Sequence, residues 1–324
     1  MKAAICRRYG PPETVTVGDW PDPQPGPGEL LVAVQAAGLT LGDARIRGAR
    51  APRGMGVMMR LAFGLTGPRR PVLGREYAGR VVGLGAGVSR FRVGDAVFGI
   101  TEGMRMGAHA ERVVVSEGGL ILPRPETLSA EEAAAFFFGG LTAADFLLDQ
   151  CALQPGERLL VAGATGAVGS ASVQIARHHG AHVTALSGPG NLDLARELGA
   201  DEALDYRNNP AKGPFDVILD VPGVLPDARS RLAPGGRLGL VTADLGQMLG
   251  AMLRPERTGG SRICDAIVKE TPQAVERLLN LYQAGAYRPL MGTGFPLSDI
   301  ARAHAIADSG HKRGNLVIRM ETGT

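Results

Sequence analysis

The run Leu159-Leu160-Val161-Ala162-Gly163-Ala164-Thr165-Gly166-Ala167-Val168-Gly169 decides how this chain is read. A short apolar stretch ends in glycines spaced G-x-x-G-x-x-G, and Ser170-Ala171-Ser172-Val173-Gln174-Ile175-Ala176-Arg177 continues with helical periodicity. Val168, Ala171, Ile175 and Ala176 supply the apolar face of that helix. Glycine lets a backbone turn tightly and approach a pyrophosphate, whose charge then rests on a helix N-terminus. A plain tight turn uses the same glycines, so the loop alone does not decide. The elements downstream of it do. Residues 182–187 read as a second strand, 192–198 as a helix ended by Gly199-Ala200-Asp201, and 215–220 and 236–241 as further apolar strands. Strands alternating with helices at this spacing predict a parallel sheet, and a glycine loop after its first strand predicts a dinucleotide site. Cofactor contacts are therefore expected at Gly163, Thr165, Gly166, Ala167, Val168 and Gly169.

The chain has 324 residues, 44% apolar and 21% charged, which suits two globular domains with ample core. The formal net charge is +3 with Lys and Arg scattered, so nothing argues for nucleic acid or a membrane surface. Cys6, Cys151 and Cys264 lie far apart without paired spacing, which excludes a disulfide framework or a four-cysteine zinc knot. No signal-peptide core opens the chain, and the longest apolar run, 133–144, is too short for a bilayer, so the cytoplasm is the expected location.

Before the glycine loop, residues 2–6 alternate weakly and Pro21-Asp22-Pro23-Gln24-Pro25-Gly26-Pro27-Gly28 forms a stiff extended connection. Strands are expected at 29–37, 77–84, 95–99 and 110–115, separated by glycine turns in the manner of a compact β-barrel. Residues 50–71, rich in Gly, Pro, Arg and Met, read as a long loop with one helical turn, either a lid or a surface insertion. Ser129-Ala130-Glu131-Glu132 is a capping box that starts a helix near Ala130. Later, 245–264 gives no clear pattern, 272–284 is an amphipathic helix, another helix runs to Ile306, and 316–318 is a last strand.

These residues resemble the medium-chain dehydrogenase/reductase superfamily, in its zinc-free quinone-oxidoreductase branch, over almost the whole chain. The similarity rests on Gly38-x4-Asp43, Val72-Leu73-Gly74-Arg75-Glu76-Tyr77-Ala78-Gly79, Phe91-x-Val93-Gly94-Asp95-x-Val97-Phe98-Gly99 and Gly140-Leu141-Thr142-Ala143. It continues in the Gly163 loop, Leu198-Gly199-Ala200-Asp201, Asp205-Tyr206 and Gly310-His311-x-Arg313-Gly314. The 50–71 stretch is similar to a subgroup that includes mitochondrial reticulon-interacting reductases and bacterial relatives. The resemblance implies an α/β architecture: a GroES-like β-barrel from 1–122 completed by 287–324, and a Rossmann doubly wound parallel sheet from 123–286. It also implies a homodimer, an active site in the cleft between the domains, and cofactor contacts from Thr40, near the nicotinamide, Thr142 and Asn315, with Thr40 and Asp43 lining the substrate pocket.

Zinc members carry a cysteine in the turn occupied here by Gly38 to Asp43, and Gly-His-Glu where this chain has Gly74-Arg75-Glu76. Without three protein ligands no catalytic zinc is expected. The histidines show no ligand spacing and read as solvated or locally hydrogen-bonded. Without a metal electrophile, hydride transfer to an activated small-molecule acceptor, a quinone or an α,β-unsaturated carbonyl, is the expected chemistry. Thr40 stands where the branch usually has Asn, and Asn315 where it usually has Lys; Arg50 replaces a Tyr of the enoyl-reductase relatives. No catalytic acid is assigned, and the alternative is a low-turnover cofactor-binding protein that keeps the fold. The second Rossmann strand ends at Ser187-Gly188-Pro189-Gly190-Asn191 with no acidic residue to repel a 2′-phosphate, and no Arg to clamp one. Ser187, Asn191 and Tyr206, the last placed beside the adenosine phosphate in the family, predict NADPH over NADH by a modest margin.

Overall fold

The computed structural model describes residues 1–51, 54–208, 211–242, 261–265 and 267–321. The chain divides into two compact units, one from Met1–Ala51, Met55–Phe137 and Met291–Thr324, the other from Phe138–Leu290 with Pro52–Gly54. In chain order the strands are β1 (Lys2–Cys6), β2 (Val15–Asp19), β3 (Glu29–Leu39), β4 (Glu76–Leu84), β5 (Ala96–Ile100), β6 (Arg112–Ser116) and β7 (Leu120–Pro123). The second unit holds β8 (Arg158–Ala162), β9 (His182–Ser187), β10 (Glu202–Asp205), β11 (Phe215–Asp220), β12 (Leu232–Leu240) and β13 (Arg262–Cys264). The chain then adds β14 (Met291–Pro296) and β15 (Asn315–Arg319).

In the first unit one sheet runs β14-β15-β3-β4-β5-β7, with β6 also paired to β3. Its spine is β3, where Leu30, Val32 and Val34 are buried and the residues between them half-buried, the period of two that a pleated strand requires. These side chains close on Leu73, Tyr77, Val81, Val97, Ile121, Leu316 and Ile318, so the core is built from both ends of the chain. This is the GroES-like half.

The second unit is a six-stranded sheet ordered β10-β9-β8-β11-β12-β13, and every pairing in it is parallel. Ranked by sequence the order is the doubly wound one, in which the first strand sits centrally and the connection reverses beside it. Helices cover both faces of such a sheet, which is why Leu159, Leu160 and Val161 on β8 are all fully buried instead of alternating. The reversal lies between β8 and β11, and Gly163 directly follows β8 there.

Four sequence expectations change. The first unit ends at Phe137 and resumes at Met291, later than the 122/123 and 286/287 junctions read from sequence. The reason is local: the helix capped by Ser129 packs on β3 and β4, and Phe136 and Phe137 pack on Phe98 with ring centroids 5.6 and 5.0 Å away. Within 50–71, eight residues, Gly56–Phe63, form a helix where one turn was expected. His304 is fully buried and neither solvated nor hydrogen-bonded, whereas His109, also buried, keeps the expected hydrogen bond. Cys151 and Cys264, distant in sequence, meet in the second unit. Of the unreadable 245–264 stretch, 245–260 lies outside the described residues, and its end carries β13. Among the described residues no helix is long and apolar enough to cross a membrane.

Candidate functional site

In the second unit, β8 ends at Ala162 and the chain turns through Gly163 at φ +76°, a left-handed conformation that favours glycine. Gly163 N–H and Ala164 N–H both donate to Leu186 O, at 3.0 and 3.1 Å, fastening the loop to the end of β9. Helix Ala167–His178 begins at Gly166, whose missing side chain leaves the first-turn amides uncapped. The third glycine is needed for packing. A β-carbon on Gly169 would stand 2.1 Å from Gly163 O and 2.8 Å from Ala164 Cα, so only hydrogen fits between helix and loop. Gly139, in helix Phe137–Ala144, comes equally close, since its β-carbon would lie 2.5 Å from Ala167 O. Thr142, one turn further along that helix, is buried and donates its hydroxyl to Phe138 O at 2.6 Å, so its oxygen keeps acceptor capacity only.

The predicted adenosine-side residues converge at the ends of β9 and β10. Ser187 registers with Asp205, Tyr206 N–H donates to Ser187 O at 3.3 Å, and the Tyr206 ring lies 3.9 Å from the β-carbon position of Gly188. Asn191 Oδ1 is buried without a hydrogen-bond partner. A buried acceptor left unpaired costs stability unless a ligand completes it. Arg207, the residue after Tyr206, turns to Asp205, with Nε 3.3 Å from Oδ1. The guanidinium is half exposed and the carboxylate mostly buried. An uncapped helix N-terminus, a glycine cradle without room for a β-carbon and an orphaned amide oxygen together fit a dinucleotide.

Thr40, Asp43 and Asn315 belong to the first unit. Leu39 registers with Leu316, so Thr40 and Asn315 are the next positions outward at that end of the sheet. Asp43 is a positioning residue. Its Oδ2 accepts from Thr40 N–H at 2.8 Å and Thr40 Oγ1 at 2.7 Å, and its Oδ1 accepts from Gly74 N–H at 3.1 Å. His109 makes a second tie between the same two turns, with Nε2 3.0 Å from Gly38 O. Its ring lies so close to Gly74, at φ +86°, that a β-carbon there would be 2.4 Å from His109 Cδ2. Glu76 Oε1 accepts from Phe137 N–H at 2.8 Å.

Comparison with known proteins agrees with both halves. The alcohol dehydrogenase GroES-like domain family matches residues 26–126, and the zinc-binding dehydrogenase family matches 198–318. The chloroplastic quinone-oxidoreductase QR1 of Triphysaria versicolor is 28% identical over 320 residues, 92% of each chain. The mitochondrial NAD(P)H oxidoreductase RTN4IP1 of Homo sapiens is 29% identical, covering 91% of this chain and 82% of its own. The quinone oxidoreductase of Thermus thermophilus, solved also in complex with NADPH, is 31% identical with a TM-score of 0.76, over 98% of this chain and 100% of that one. The chain belongs to the medium-chain dehydrogenase/reductase superfamily, in its zinc-free quinone-oxidoreductase branch. It is an NAD(P)H-dependent oxidoreductase.

In this medium-chain reductase, no three His, Cys, Asp or Glu side chains among the described residues are grouped to hold a metal ion. Two features escaped the sequence reading. Lys312, half-buried, donates to Gly314 O at 2.8 Å, and burial presses its pKa down to about 8, the Glu76 carboxylate opposing. It lies three positions before Asn315, so the positive charge missing at 315 is present nearby. His304 has no partner at either ring nitrogen. Burial first, and then the neighbouring His109, lower its pKa to about 3, so it is neutral at pH 7. A lysine in a glycine-rich turn and a histidine on a helix carry no sequence signal of burial.

Proposed function

We propose that this chain is an NADPH-preferring, zinc-independent reductase that delivers hydride to a quinone or an α,β-unsaturated carbonyl and works as a homodimer. The observation that carries the reading is the glycine cradle, where a Gly169 β-carbon would meet Gly163 O and the first-turn amides stay uncapped, with Ser187 and Tyr206 joined at the neighbouring strand ends. Bound there, the reduced nicotinamide supplies the hydride. The chain's own residues then hold, orient and neutralise. The first-turn amides of helix Ala167–His178 receive the pyrophosphate. Ser187, Asn191 and Tyr206 offer hydrogen bonds to a 2′-phosphate, no acidic residue ends β9, and the nearby Asp205 carboxylate is paired with Arg207. Thr40, Thr142 and Asn315 are further proposed cofactor contacts. Lys312 supplies, three positions upstream, the cation that Asn315 lacks, and it favours an acceptor that gains negative charge.

One observation favours a second reading, a cofactor-binding protein of low turnover. The Thr40 hydroxyl already donates to Asp43 and accepts from its N–H at 3.4 Å, which leaves it little to offer a substrate. A screen of quinones and conjugated carbonyls, following loss of NADPH absorbance in the presence of a strong chelator, separates the readings. Turnover of at least one such acceptor is the expected result. Cofactor binding without turnover supports the second reading, and alcohol oxidation that dies with chelation overturns both.

A further inference from the structure

Cys264 ends β13, the outer strand of the parallel sheet, and registers with Gly239 of β12. Register partners on neighbouring strands turn their side-chain positions to one face, with the strands about 4.8 Å apart. At Gly239 the place of a β-carbon lies 3.3 Å from Cys151 Sγ. Glycine at 239 thus leaves the room in which Cys151 reaches Cys264, and the two thiols hydrogen-bond each other. Cys264 Sγ is also 3.2 Å from the carbonyl oxygen of Gln150, the residue preceding Cys151, and Arg262 donates to that same carbonyl. The third cysteine, Cys6, is buried in the other unit.

The environment makes the two sulfurs unequal. The Cys151 hydrogen bond, then the Arg262 and Arg237 guanidiniums, hold the Cys264 thiol below the ordinary cysteine range. Cys151 is held above that range, first by its donation to Cys264 and then by burial. A thiolate-prone sulfur next to a resolving thiol is the arrangement that converts oxidation into a disulfide instead of over-oxidation. Cys264 retains 5% exposure on β13, the outermost strand of that sheet among the described residues.

We propose that Cys151 and Cys264 form a reversible oxidation site, closing to an intramolecular disulfide when a hydroperoxide reaches Cys264. The Cys264 thiolate attacks the peroxide oxygen and breaks the O–O bond, giving a sulfenic acid; hydrogen peroxide departs as water, an organic hydroperoxide as its alcohol. The Cys151 thiolate, its proton lost, then attacks that sulfur, forming the S–S bond and expelling hydroxide, which the proton converts to water. Two thiols are oxidised by two electrons and one peroxide is reduced. A dithiol reverses the step by exchange.

The test uses the reduced full chain, exposed to hydrogen peroxide, alkylated under denaturing conditions, digested without reductant and read by mass spectrometry. The expected product is a peptide pair joined through Cys151 and Cys264, lighter by two hydrogen atoms than its reduced parts, removed by dithiothreitol, with Cys6 alkylated throughout. Arg262→Gln, at an exposed position, should slow closure several-fold by raising the Cys264 thiol pKa. Full alkylation of Cys151 and Cys264 after peroxide, a link through Cys6, or separate sulfinic acids with no link would overturn the proposal. An unchanged closure rate in Arg262→Gln would remove the arginine from it.

Discussion

Gly166→Asp separates cofactor binding from folding. Gly166 has φ −80° and ψ −179°, extended backbone open to any residue, and the nearest atom to an added β-carbon is Gly163 O at 3.6 Å. The position is an N-cap without a side-chain acceptor, and Asp is among the preferred residues there. Stability should therefore stay level or rise by about 1 kcal/mol. The same carboxylate would occupy the first-turn amides that the pyrophosphate needs. Two unit charges about 4 Å apart repel by roughly 4 kcal/mol at an effective dielectric near 20, and by about 2 when solvent and salt screen them. A loss of about 2–4 kcal/mol raises the NADPH dissociation constant about 30-fold to 900-fold. Titration calorimetry with NADPH, beside thermal melts of both proteins, gives the two readings independently. Gly169→Ala is the converse, because its β-carbon would meet backbone at 2.1 Å. It should destabilise the fold by about 1–3 kcal/mol. A folded Gly166→Asp protein with unchanged NADPH affinity refutes the placement of the pyrophosphate.

NADPH should be preferred over NADH by about tenfold, or about 1.4 kcal/mol, and Gly190→Arg should widen that margin; steady-state kinetics showing an NADH preference would dissolve the Ser187–Asn191–Tyr206 site. With Lys312 protonated below about pH 8, turnover should fall as pH rises through that value. Lys312→Met should lower kcat and flatten this limb, and a limb that persists in the variant assigns it elsewhere. His304 has a folded pKa of about 3 against an ordinary 6.5. The unfolded chain therefore binds the extra proton first, and this group's contribution to stability, complete above pH 6.5, is lost as pH falls towards 3. The slope is at most about 1.4 kcal/mol per pH unit. Urea unfolding of His304→Leu should show a shallower decline on the acid side, and parallel curves for the two proteins would rule this out.

The elements most legible in the sequence were those fixed by backbone constraint. The Gly163 loop could be read because each glycine answers a geometric demand, a left-handed φ at 163, an uncapped N-terminus at 166 and contact with backbone at 169. The Ser129 capping box was equally local, and both of its reciprocal hydrogen bonds are present. Asp43 shows the limit of such reading. Its spacing marked a turn, but its tie to Gly74 depends on two strands coming together. The Cys151–Cys264 contact, the burial of His304 and the depressed pKa of Lys312 arise wholly from tertiary packing, to which residue spacing is blind.

The pairing of β15 with β3 also governs the order in which the protein can be made. Thr40 leaves the ribosome early, while the strand that begins at Asn315 follows only after the whole of 138–290. The doubly wound unit, nearly continuous in sequence, can close during synthesis, whereas in the barrel the Ala36–Leu39 end of β3 waits for its partner on that side until β15 arrives. An arrest that releases the chain before residue 315 would leave a sheet edge open to any other extended segment.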